Sequence, residues 1–473
     1  MFREQGKTAD GERYTGNDTI AAISTAVGQA GIGIIRISGP LSLQIALKIF
    51  KPKRPVKDLQ THHLYLGHLY DPKTGVAIDE VLLSYMKAPG SYTREDVVEI
   101  NSHSGYLLLS KILGIVIAQG ARLARPGEFT LRAFLNGRID LTQGEAVIDL
   151  INSQSERGLH MASRQIAGSF REKIGELRQS AVDILGNMEV AIDFPEEEAA
   201  IMSRKDAADS IMNRLVRPVE ELLKNHESRR MWVDGINTVI VGRVNAGKSS
   251  LLNRILDEER AIVAPLPGTT RDIIDSTVSI EGLPLRLMDT AGLREARDEV
   301  ERIGVRLTSQ KLDEADFLLV VIDQSRRLNQ DDLRIMDQCK GKRCLVVINK
   351  IDLAPMLTHD EQERVFAGFP IARISALTGE GLDELKKRMV GCLLESDLDM
   401  TSSHMVPNMR HREALEGAAR FFRDAAESVR AEKPMEIAAF ELKSGLDALG
   451  EITGETAGED VLDSIFSRFC LGK

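Results

Sequence analysis

The chain has 473 residues, of which 43% are hydrophobic, 28% are charged and 4% are aromatic, and its formal net charge is −10. This length predicts about three domains, and the hydrophobic content suffices for packed cores, which excludes a largely disordered chain. The four cysteines have neither zinc-ligand spacing nor a secreted disulfide pattern. Residues 1–16 are unlike a signal peptide and no apolar run is long enough to cross a bilayer, so we expect a cytoplasmic protein without a membrane anchor.

Charge is distributed unevenly along the chain. Residues 17–140 contain 14 Lys and Arg against 10 Asp and Glu, a balance of +4, whereas residues 1–16 balance and residues 141–473 carry −14. The acidic remainder argues against a general nucleic-acid-binding protein. The mildly basic region permits docking of RNA on one face without establishing it.

The predicted elements form four stretches after a polar extension at residues 1–16. Residues 17–140 predict an α/β domain, with strand patterns at 19–25, 33–38, 81–87 and 97–101 and helical patterns at 41–50 and 107–119. Residues 141–235 are amphipathic and mostly helical, residues 236–396 contain buried strands, and residues 397–473 are again helical.

A glycine-rich segment after the apolar run 239–241 is the most informative feature of the chain. It reads Gly-Arg-Val-Asn-Ala-Gly-Lys-Ser from Gly242 to Ser249, and a helical pattern follows. Strand, G-x-x-x-x-G-K-S and helix is the order that defines a P-loop. Its backbone N–H groups close around a phosphate, Lys248 reaches the β- and γ-phosphates, and the Ser249 hydroxyl binds Mg²⁺.

A second motif follows in the order that a nucleotide-hydrolysing domain requires. The strand pattern 283–288 leads into Asp289-Thr290-Ala291-Gly292. We expect Asp289 to hold the Mg²⁺ shell and the Gly292 N–H to face the γ-phosphate.

The third and fourth motifs indicate which base is bound. Asn349-Lys-Ile-Asp352 follows the strand pattern 344–348, and the Asp352 carboxylate can accept two hydrogen bonds from guanine N–H groups that adenine lacks. Ser375–Leu377 follows the pattern 371–374 and can bring a backbone N–H to the guanine carbonyl. The ordered set predicts GTP as the nucleotide.

The residue after Asp-x-x-Gly is unusual. Ras-type GTPases carry at this position a Gln that orients the attacking water, whereas this chain has Leu293. The polar run 294–302 offers replacements for that Gln. The same run also fits the start of a helix whose acids face the positive end of its dipole, and the residues alone leave both interpretations open.

From about Asp18 to Lys473 the chain resembles the MnmE (TrmE) family, GTPases that help to modify the wobble uridine of certain tRNAs. A P-loop combined with Cys-x-Gly-Lys makes the resemblance specific. The segments that carry it are 18–20, 31–39, 125–129, 132–138, 193–197, 268–272, 289–304 and 469–473.

The resemblance and the patterns together imply a multidomain α/β plus α fold. The N-terminal folate-binding-like α/β domain, which also dimerises, is expected at residues 17–140. The ends of a Ras-like domain lie close together, so such a domain can be inserted into another with little strain. We therefore expect the inserted Ras-like P-loop GTPase domain at 236–396, between the two parts of one discontinuous helical domain at 141–235 and 397–473.

The predicted GTP-binding residues come from the motifs and from the loop that the family wraps around the nucleotide. They are Asn245, Ala246, Gly247, Lys248, Ser249, Ser250, Ala264, Pro265, Leu266, Pro267, Gly268, Thr269, Thr270, Asp289, Thr290, Ala291, Gly292, Asn349, Lys350, Asp352, Ser375, Ala376 and Leu377. The resemblance implies that Thr270 joins Ser249 on Mg²⁺. It also implies that potassium is bound by Asn245, Ala264, Leu266 and Thr269.

The family also implies how the chemistry is completed. Glu301 matches the glutamate that positions the attacking water, which answers the question raised by Leu293. Lys248 and Glu301 are the predicted catalytic residues of hydrolysis. The potassium ion supplies the positive charge that an arginine finger supplies elsewhere, in a loop organised when two G domains meet.

In the N-terminal domain the resemblance implies a site for 5-formyl- or 5,10-methylene-tetrahydrofolate. Arg36, Glu99, Arg138 and Lys473 match the folate-contacting positions. The glycines between Gly28 and Gly33 are not a dinucleotide fingerprint, because a strand and not a helix follows them. The chain departs from the family pattern at Arg94 and at 101–104, close to Glu99.

Cys470 has competing interpretations. Cys-Leu-Gly-Lys resembles a prenylation motif only formally, because neither Gly472 nor Lys473 suits one. A buried structural thiol is one alternative. The family resemblance favours a thiol or terminal segment close to the one-carbon donor, and Cys470 is accordingly a predicted catalytic residue.

The expected partners are a second copy of the chain, tRNA and the flavoprotein MnmG, in a heterotetramer. A ribosome-assembly GTPase that binds RNA is the alternative, but residues 397–473 contain no G-x-x-G loop and the chain has only one complete P-loop. A membrane-remodelling GTPase of dynamin type would need a basic or apolar lipid-facing patch, and the helical stretches are acidic.

Overall fold

The computed structural model describes residues 18–26, 28, 30–153, 155–194, 203–224, 232, 235–259, 275–289, 315–394 and 407–473. The chain forms two compact units. The first unit comprises Met1–Ile148, Gln165–Glu220 and Arg410–Lys473, and the second comprises Asp149–Arg164 and Glu221–Met409. Among the described residues, no helix has both the length and the apolar character that a membrane span requires.

The first unit contains a seven-stranded sheet. Its strands are β1 (Ile20–Ile23), β2 (Gly33–Ser38), β3 (Phe50–Pro52), β4 (His63–Tyr70), β5 (Ala77–Met86), β6 (Val97–Ser102) and β7 (Arg122–Leu123). They lie in the order β3-β4-β5-β6-β2-β1-β7, and every neighbouring pair is antiparallel except β1 with β7.

One face of this sheet is covered by two helices, α1 (Ser42–Ile49) and α2 (Tyr106–Ala118). Side chains alternate between the faces of a strand, so Ile35 and Ile37 of β2 enter the core on this side with Ile112 of α2. Arg36, which lies between the two isoleucines, is therefore on the opposite face, where the candidate site of this unit is built.

A cluster of charged side chains closes the sheet beyond helix α3 (Glu128–Leu135). Arg132 is fully buried and donates to the carboxylates of Asp18 at 2.8 Å, Glu95 at 3.1 Å and Glu128 at 3.1 Å. Burial raises the pKa of the Glu128 carboxyl, but hydrogen bonds from Arg122 and other donors outweigh it, so this pKa lies below its ordinary value. The cluster thus joins segments that are more than one hundred residues apart.

The helical part of the first unit comes from both sides of the second unit in sequence. Its helices are α4 (Leu141–Asn152), which continues into the second unit, α6 (Ser169–Asp193), α7 (Arg204–Ile211), α8 (Arg217–Lys224), α13 (Met409–Arg430), α14 (Met435–Thr453) and α15 (Glu459–Phe466). A π-helical turn, Met212–Val216, joins α7 to α8.

Two contacts hold these helices together. Glu145 of α4 accepts hydrogen bonds from Arg410 of α13 at 2.7 Å and 3.0 Å and lies 2.7 Å from Nε2 of the fully buried His411. Gly445 of α14 lets the Phe422 ring approach closely, because a Cβ at this glycine would lie 2.3 Å from the ring. The helices before and after the second unit therefore belong to one body, as the discontinuous arrangement predicts.

The second unit contains a six-stranded sheet. Its strands are β8 (Ile236–Val241), β9 (Asp275–Ile280), β10 (Leu283–Asp289), β11 (Phe317–Asp323), β12 (Cys344–Asn349) and β13 (Ile371–Ile374). The order is β13-β12-β11-β8-β10-β9, and all neighbouring pairs are parallel except β9 with β10. This is the sheet of a Ras-like domain, and the predicted multidomain fold class is confirmed.

Helices pack with this sheet to form an apolar core. They are α5 (Glu156–Ile166), α9 (Lys248–Glu259), α10 (Gln330–Gln338), α11 (His359–Val365) and α12 (Leu382–Leu394), of which α5 ends just beyond the unit. Trp232 belongs to the core and is 6% exposed. Its carbonyl accepts a hydrogen bond from Ser155 Oγ at 3.0 Å, and the Arg157 guanidinium lies 4.4 Å from its ring centroid.

Candidate nucleotide site and N-terminal site

The P-loop connects β8 to α9 through a backbone that needs its glycines. Gly242 and Gly247 have φ angles of 155° and 97°, which side chains rarely adopt. A Cβ at Gly242 would lie 2.4 Å from the Val321 carbonyl oxygen, and one at Gly247 would lie 2.2 Å from Nδ2 of Asn349. Both glycines are therefore fixed by close packing against neighbouring strands.

The charged and hydroxyl groups of the P-loop lie at the first turn of α9. The Lys248 ammonium donates to the carbonyl oxygens of Gly242 at 3.0 Å and Arg243 at 2.9 Å. Ser249 and Ser250 are exposed at the N-terminus of the helix, where the helix dipole favours bound anions. The loop thus gathers a cation, exposed serines and a positive helix end.

Asn349 connects three predicted motifs. Its side chain is 1% exposed, and its Nδ2 donates to the Ala246 carbonyl oxygen at 2.9 Å. Its Oδ1 accepts from the backbone N–H groups of Ala376 at 3.0 Å and Lys350 at 2.8 Å. The P-loop, the Asn-Lys-x-Asp motif and the Ser-Ala-Leu motif are therefore fixed relative to one another by a single buried amide.

Lys350 forms a second link across the same edge of the sheet. Its ammonium donates to the Asn245 carbonyl oxygen at 2.9 Å and to Oδ2 of Asp323 at 2.7 Å. Asp323 is 2% exposed. Burial raises the pKa of the Asp323 carboxyl, but hydrogen bonds from Lys350 and Ser325 outweigh burial and hold this pKa below its ordinary value.

Sequence reasoning did not identify Asp323. The signal that could have found it is its position directly after the buried strand 317–322, where a carboxylate would face the neighbouring Asn-Lys-x-Asp motif. In the structure Asp323 lies opposite Asn349 in the parallel register of β11 and β12.

The loops predicted to recognise the base lie close to Asn349 and Lys350. Asp352 is exposed in the turn after Lys350, and Leu377 is 77% exposed. The Arg254 guanidinium of α9, a second residue that sequence reasoning did not identify, donates to the carbonyl oxygens of Ala376 at 3.4 Å and of Leu377. The Ser375 hydroxyl accepts from the Thr378 N–H at 3.1 Å.

The rest of the predicted nucleotide site lies outside the described residues. This holds for the loop Ala264–Thr270, for Thr290, Ala291 and Gly292, and for Glu301. The backbone of Asp289 ends β10 opposite Ile240 of β8, beside the start of the P-loop.

The N-terminal site is built around a cross-strand ion pair. Arg36 of β2 lies opposite Glu99 of β6 in the antiparallel register, and its Nε donates to Glu99 Oε1 at 2.8 Å. The side chains of the pair are 18% and 21% exposed. The guanidinium carbon of Arg36 lies 5.6 Å from the ring centroids of both Tyr92 and Phe129, within reach of cation–π attraction.

The other two predicted residues reach the same place. Arg138 donates to the Tyr92 carbonyl oxygen at 3.1 Å, and its guanidinium carbon lies 4.8 Å from the Tyr92 ring centroid. The Lys473 carbonyl oxygen accepts from the Phe129 N–H at 3.2 Å. Arg36 and Arg138 therefore contact aromatic rings that sequence reasoning did not select. Glu99 and Lys473 join the same group through Arg36 and the Phe129 N–H.

The segment 470–473 lies against the N-terminal sheet. Gly472 has a φ of 92°, and a Cβ there would lie 2.3 Å from the Ile23 carbonyl oxygen. Its own carbonyl oxygen accepts from Arg36 Nη1 at 3.4 Å. Cys470 is exposed, so the alternative interpretation as a buried structural thiol is wrong.

The residues at which the chain departs from the family pattern form local hydrogen bonds. Arg94 donates to the Asn136 carbonyl oxygen at 2.9 Å, two residues before Arg138. His103 and Asp79 form an exposed pair at 2.8 Å, and Asn101 donates to the Leu82 carbonyl oxygen at 3.1 Å.

The Ras-like sheet, the P-loop and the buried links between the guanine motifs define a P-loop GTPase. A family model for the MnmE helical domain matches residues 141–470, and one described as GTP-binding protein TrmE N-terminus matches residues 19–138. The "tRNA modification GTPase MnmE" of Thermoanaerobacter pseudethanolicus is 44% identical over 96% of this chain and 99% of its own length. The protein of the same name from Alkaliphilus oremlandii is 43% identical over 97% of this chain and 99% of its own length.

This chain therefore belongs to the MnmE family, and it is a GTP hydrolase. Among solved structures, the G domain of the T. maritima FeoB iron transporter is 25% identical and covers 33% of this chain and 98% of its own. The TM-score between the two is 0.26.

Proposed function

We propose that this protein hydrolyses GTP in a potassium-dependent cycle coupled to contact between two G domains, and that it acts on tRNA. With the flavoprotein MnmG, it adds a carboxymethylaminomethyl-type group to C5 of the wobble uridine of certain tRNAs. The name of its relatives, tRNA modification GTPase MnmE, supports the tRNA part. The observation that carries the GTPase part is Asn349, which joins the phosphate loop to both guanine motifs.

The P-loop residues fit a nucleotide phosphate and Mg²⁺. Gly242 and Gly247 allow the tight path of the loop, because a Cβ at either position would clash with Val321 or Asn349. The Lys248 ammonium lies on two backbone carbonyl oxygens of the same loop, so a β- or γ-phosphate can replace them with a stronger, charged acceptor. The exposed Ser249 hydroxyl can bind Mg²⁺. We propose Thr270 as the second protein ligand of this ion.

Asn245 suits the proposed potassium site. It adopts a left-handed backbone with a φ of 63°, its carbonyl is held by Lys350, and its side chain is exposed. An amide oxygen is a suitable ligand for a hard monovalent cation. Ala264, Leu266 and Thr269 are proposed to complete the site, and Glu301 is proposed to position the water because Leu293 cannot.

The N-terminal site fits a tetrahydrofolate. The Arg36–Glu99 pair offers both donors and acceptors to the amide edge of a pterin, and Tyr92 and Phe129 offer apolar faces. Arg138 presents a guanidinium suited to a glutamate carboxylate. The Lys473 carbonyl oxygen accepts from the Phe129 N–H, and we propose Lys473 as a further folate contact. A bound folate would supply the one-carbon unit, with Cys470 near the donor.

We further propose a homodimer formed through the N-terminal domain, a heterotetramer with MnmG and a cytoplasmic location. The domain boundaries given in the sequence analysis are part of this proposal. GTP turnover brings the G domains together and apart, and the helical domain relays this motion to the folate site.

The potassium dependence of hydrolysis tests the GTPase part of the proposal. Sodium is too small to hold the loop oxygens at their working distances, so turnover should fall on the order of 10³-fold when NaCl replaces KCl. Glu301→Ala should abolish most turnover at near-normal nucleotide affinity, whereas Glu299→Ala is the matched control. Equal rates in the two salts, or full activity of Glu301→Ala, would contradict this mechanism.

The tRNA part is tested in a strain that lacks the gene. The wild-type chain should restore the modified wobble nucleoside, measured by mass spectrometry of digested tRNA, and Glu301→Ala should not. If the wild-type protein is abundant in this strain but no modified nucleoside appears, the tRNA function is rejected and the GTPase activity is not.

A further inference from the structure

The first unit carries a basic segment in which all cations but one lie outside the two candidate sites. Residues 19–57 contain no Asp or Glu but six Lys and Arg, in a chain whose net charge is −10. One of the six is Arg36. The other five are Lys48, Lys51, Lys53, Arg54 and Lys57, which fall within ten consecutive residues and are all exposed.

The fold holds this segment in place at one border of the sheet. It runs from the end of α1 through β3, the outermost strand, which pairs with β4 alone. Phe50 is 3% exposed and packs against Gly67, where a Cβ would lie 2.5 Å from its ring. The Lys53 N–H donates to the Leu66 carbonyl oxygen at 2.9 Å. The cations are thus presented by an ordered backbone, so little backbone entropy is lost when a ligand binds them.

Four of these cations have no carboxylate partner among the described residues. Within that part of the chain, only Lys53 of the segment forms an ion pair, with Glu80 at 3.1 Å. The Lys51 ammonium lies 4.7 Å from the ring centroid of Tyr70, whose ring is 6.4 Å from that of His68. We call Lys48, Lys51, Arg54 and Lys57 the basic edge.

We propose that the basic edge binds the phosphate backbone of the tRNA, an inference that rests on the proposed tRNA function. The remainder of the chain is acidic and repels a polyanion, so a local group of exposed cations determines where RNA can approach. Lys51, Arg54 and Lys57 recur every three residues, so the Cα atoms of consecutive members are at most about 10 Å apart and those of the first and last at most about 20 Å. This spacing lets the three side chains contact several phosphates of one strand.

The position of the edge is consistent with substrate delivery. β3 and β2 are four strand steps apart in the same sheet, which places Arg36 about 19 Å from the edge. A single-stranded loop of a few nucleotides can span this distance. Phosphate contacts fix the position of an RNA without reading its sequence, so the basic edge would position the tRNA and leave the choice of base to the site.

The test compares two variants with the same change in charge. The first replaces the four cations of the basic edge by alanine: Lys48→Ala, Lys51→Ala, Arg54→Ala and Lys57→Ala. The control replaces four exposed cations of the helical part: Lys205→Ala, Arg217→Ala, Arg420→Ala and Lys443→Ala. Affinity of the full-length proteins for a labelled tRNA transcript is measured by fluorescence anisotropy over a series of KCl concentrations.

At low salt the basic-edge variant should bind tRNA roughly 10- to 100-fold more weakly than wild type, with a salt slope reduced by about 0.7–0.9 for each phosphate that is no longer neutralised. The control should weaken tRNA binding severalfold less. The thermal midpoint and the potassium-stimulated GTPase rate should stay at wild-type values in both variants. A third variant with Lys48→Arg, Lys51→Arg and Lys57→Arg should preserve affinity, because the charge is kept.

Equal tRNA affinity of the basic-edge variant and wild type would overturn the proposal, as would equal weakening in the two alanine variants. Loss of MnmG binding with unchanged tRNA affinity would also overturn it, because the edge would then bind an acidic protein surface. Any of these results can coexist with restored wobble modification by the wild-type chain, so failure of the basic edge is distinguishable from failure of the proposed function.

Discussion

The predicted guanine end of the second unit and the N-terminal site of the first are each stabilised internally, by different kinds of contact. At the guanine end, the buried Asn349 amide and the partly exposed Lys350 ammonium bind backbone carbonyl oxygens of the P-loop. At the N-terminal site, the partly exposed side chains of Arg36 and Glu99 bind each other. The first arrangement fixes main-chain positions before a ligand arrives, whereas the second leaves charged groups that a ligand can reorganise. A substitution that damages one site should therefore leave the other site intact.

The largest expected effect is on guanine recognition. Asp352→Asn removes two charge-assisted hydrogen bonds of about 1.5–3 kcal/mol each, so GTP affinity should fall by roughly two to four orders of magnitude. Xanthosine triphosphate should bind this variant better than GTP does. Folate affinity, measured by calorimetry, should stay at the wild-type value.

The exposed Asp337→Asn of α10 is the matched control and should bind GTP normally. Unchanged GTP affinity in Asp352→Asn would reject the assignment of this carboxylate to guanine.

An intermediate effect is expected at the N-terminal site. Arg36→Ala removes a charged donor, which contributes about 1.5–3 kcal/mol, so folate affinity should fall roughly 10- to 100-fold while GTPase activity is kept. Arg36→Lys should recover little, because an ammonium lacks the planar fork of donors. Cys470→Ser should lose wobble modification with the GTPase intact if the thiol takes part.

Lys87→Ala, which changes an exposed cation in the turn that follows β5, controls for charge alone. Normal folate affinity in Arg36→Ala, or normal modified-nucleoside levels when Cys470→Ser is the only copy, would contradict the corresponding claim.

The smallest expected effect is on the anchor of Lys350. Asp323→Asn keeps a hydrogen-bond acceptor but removes the charge, so GTP affinity should fall about fivefold, equivalent to about 1 kcal/mol. Because the pKa of the folded Asp323 carboxyl is lowered, its contribution to stability is present above the ordinary carboxyl pKa of about 3.9 and is lost as the pH falls through the folded pKa.

Thermal midpoints measured between neutral pH and pH 3 check this sign. The difference between wild type and Asp323→Asn should be constant near neutrality and should shrink below about pH 4. A difference that grows on acidification would mean that the carboxyl is protonated in the folded protein.

The sequence predicted elements whose residues alternate regularly. The strand pattern 33–38 matches β2, and the pattern 97–101 falls one residue short of β6. It did not predict β3 or β4. These strands lie at the border of the sheet, and the first half of β4 is mostly exposed, so no alternation of apolar and polar residues marks it.

The same contrast applies to the sites. The P-loop and the Asn-Lys-x-Asp motif consist of consecutive residues, so their spacing is visible in the sequence. Asp323 acts on Lys350 only because β11 and β12 pair in one register, and that register is a property of the folded sheet. Tyr92 and Phe129 come from two separate segments, and only folding brings them to Arg36.

Trp232 gives the protein a built-in optical probe. It is the only tryptophan of the 473 residues and is packed within the core of the second unit. Its fluorescence therefore reports melting of the nucleotide-binding unit alone, whereas far-ultraviolet circular dichroism reports helices of both units. Denaturation followed by the two signals in parallel can assign a separate transition to each unit without any label.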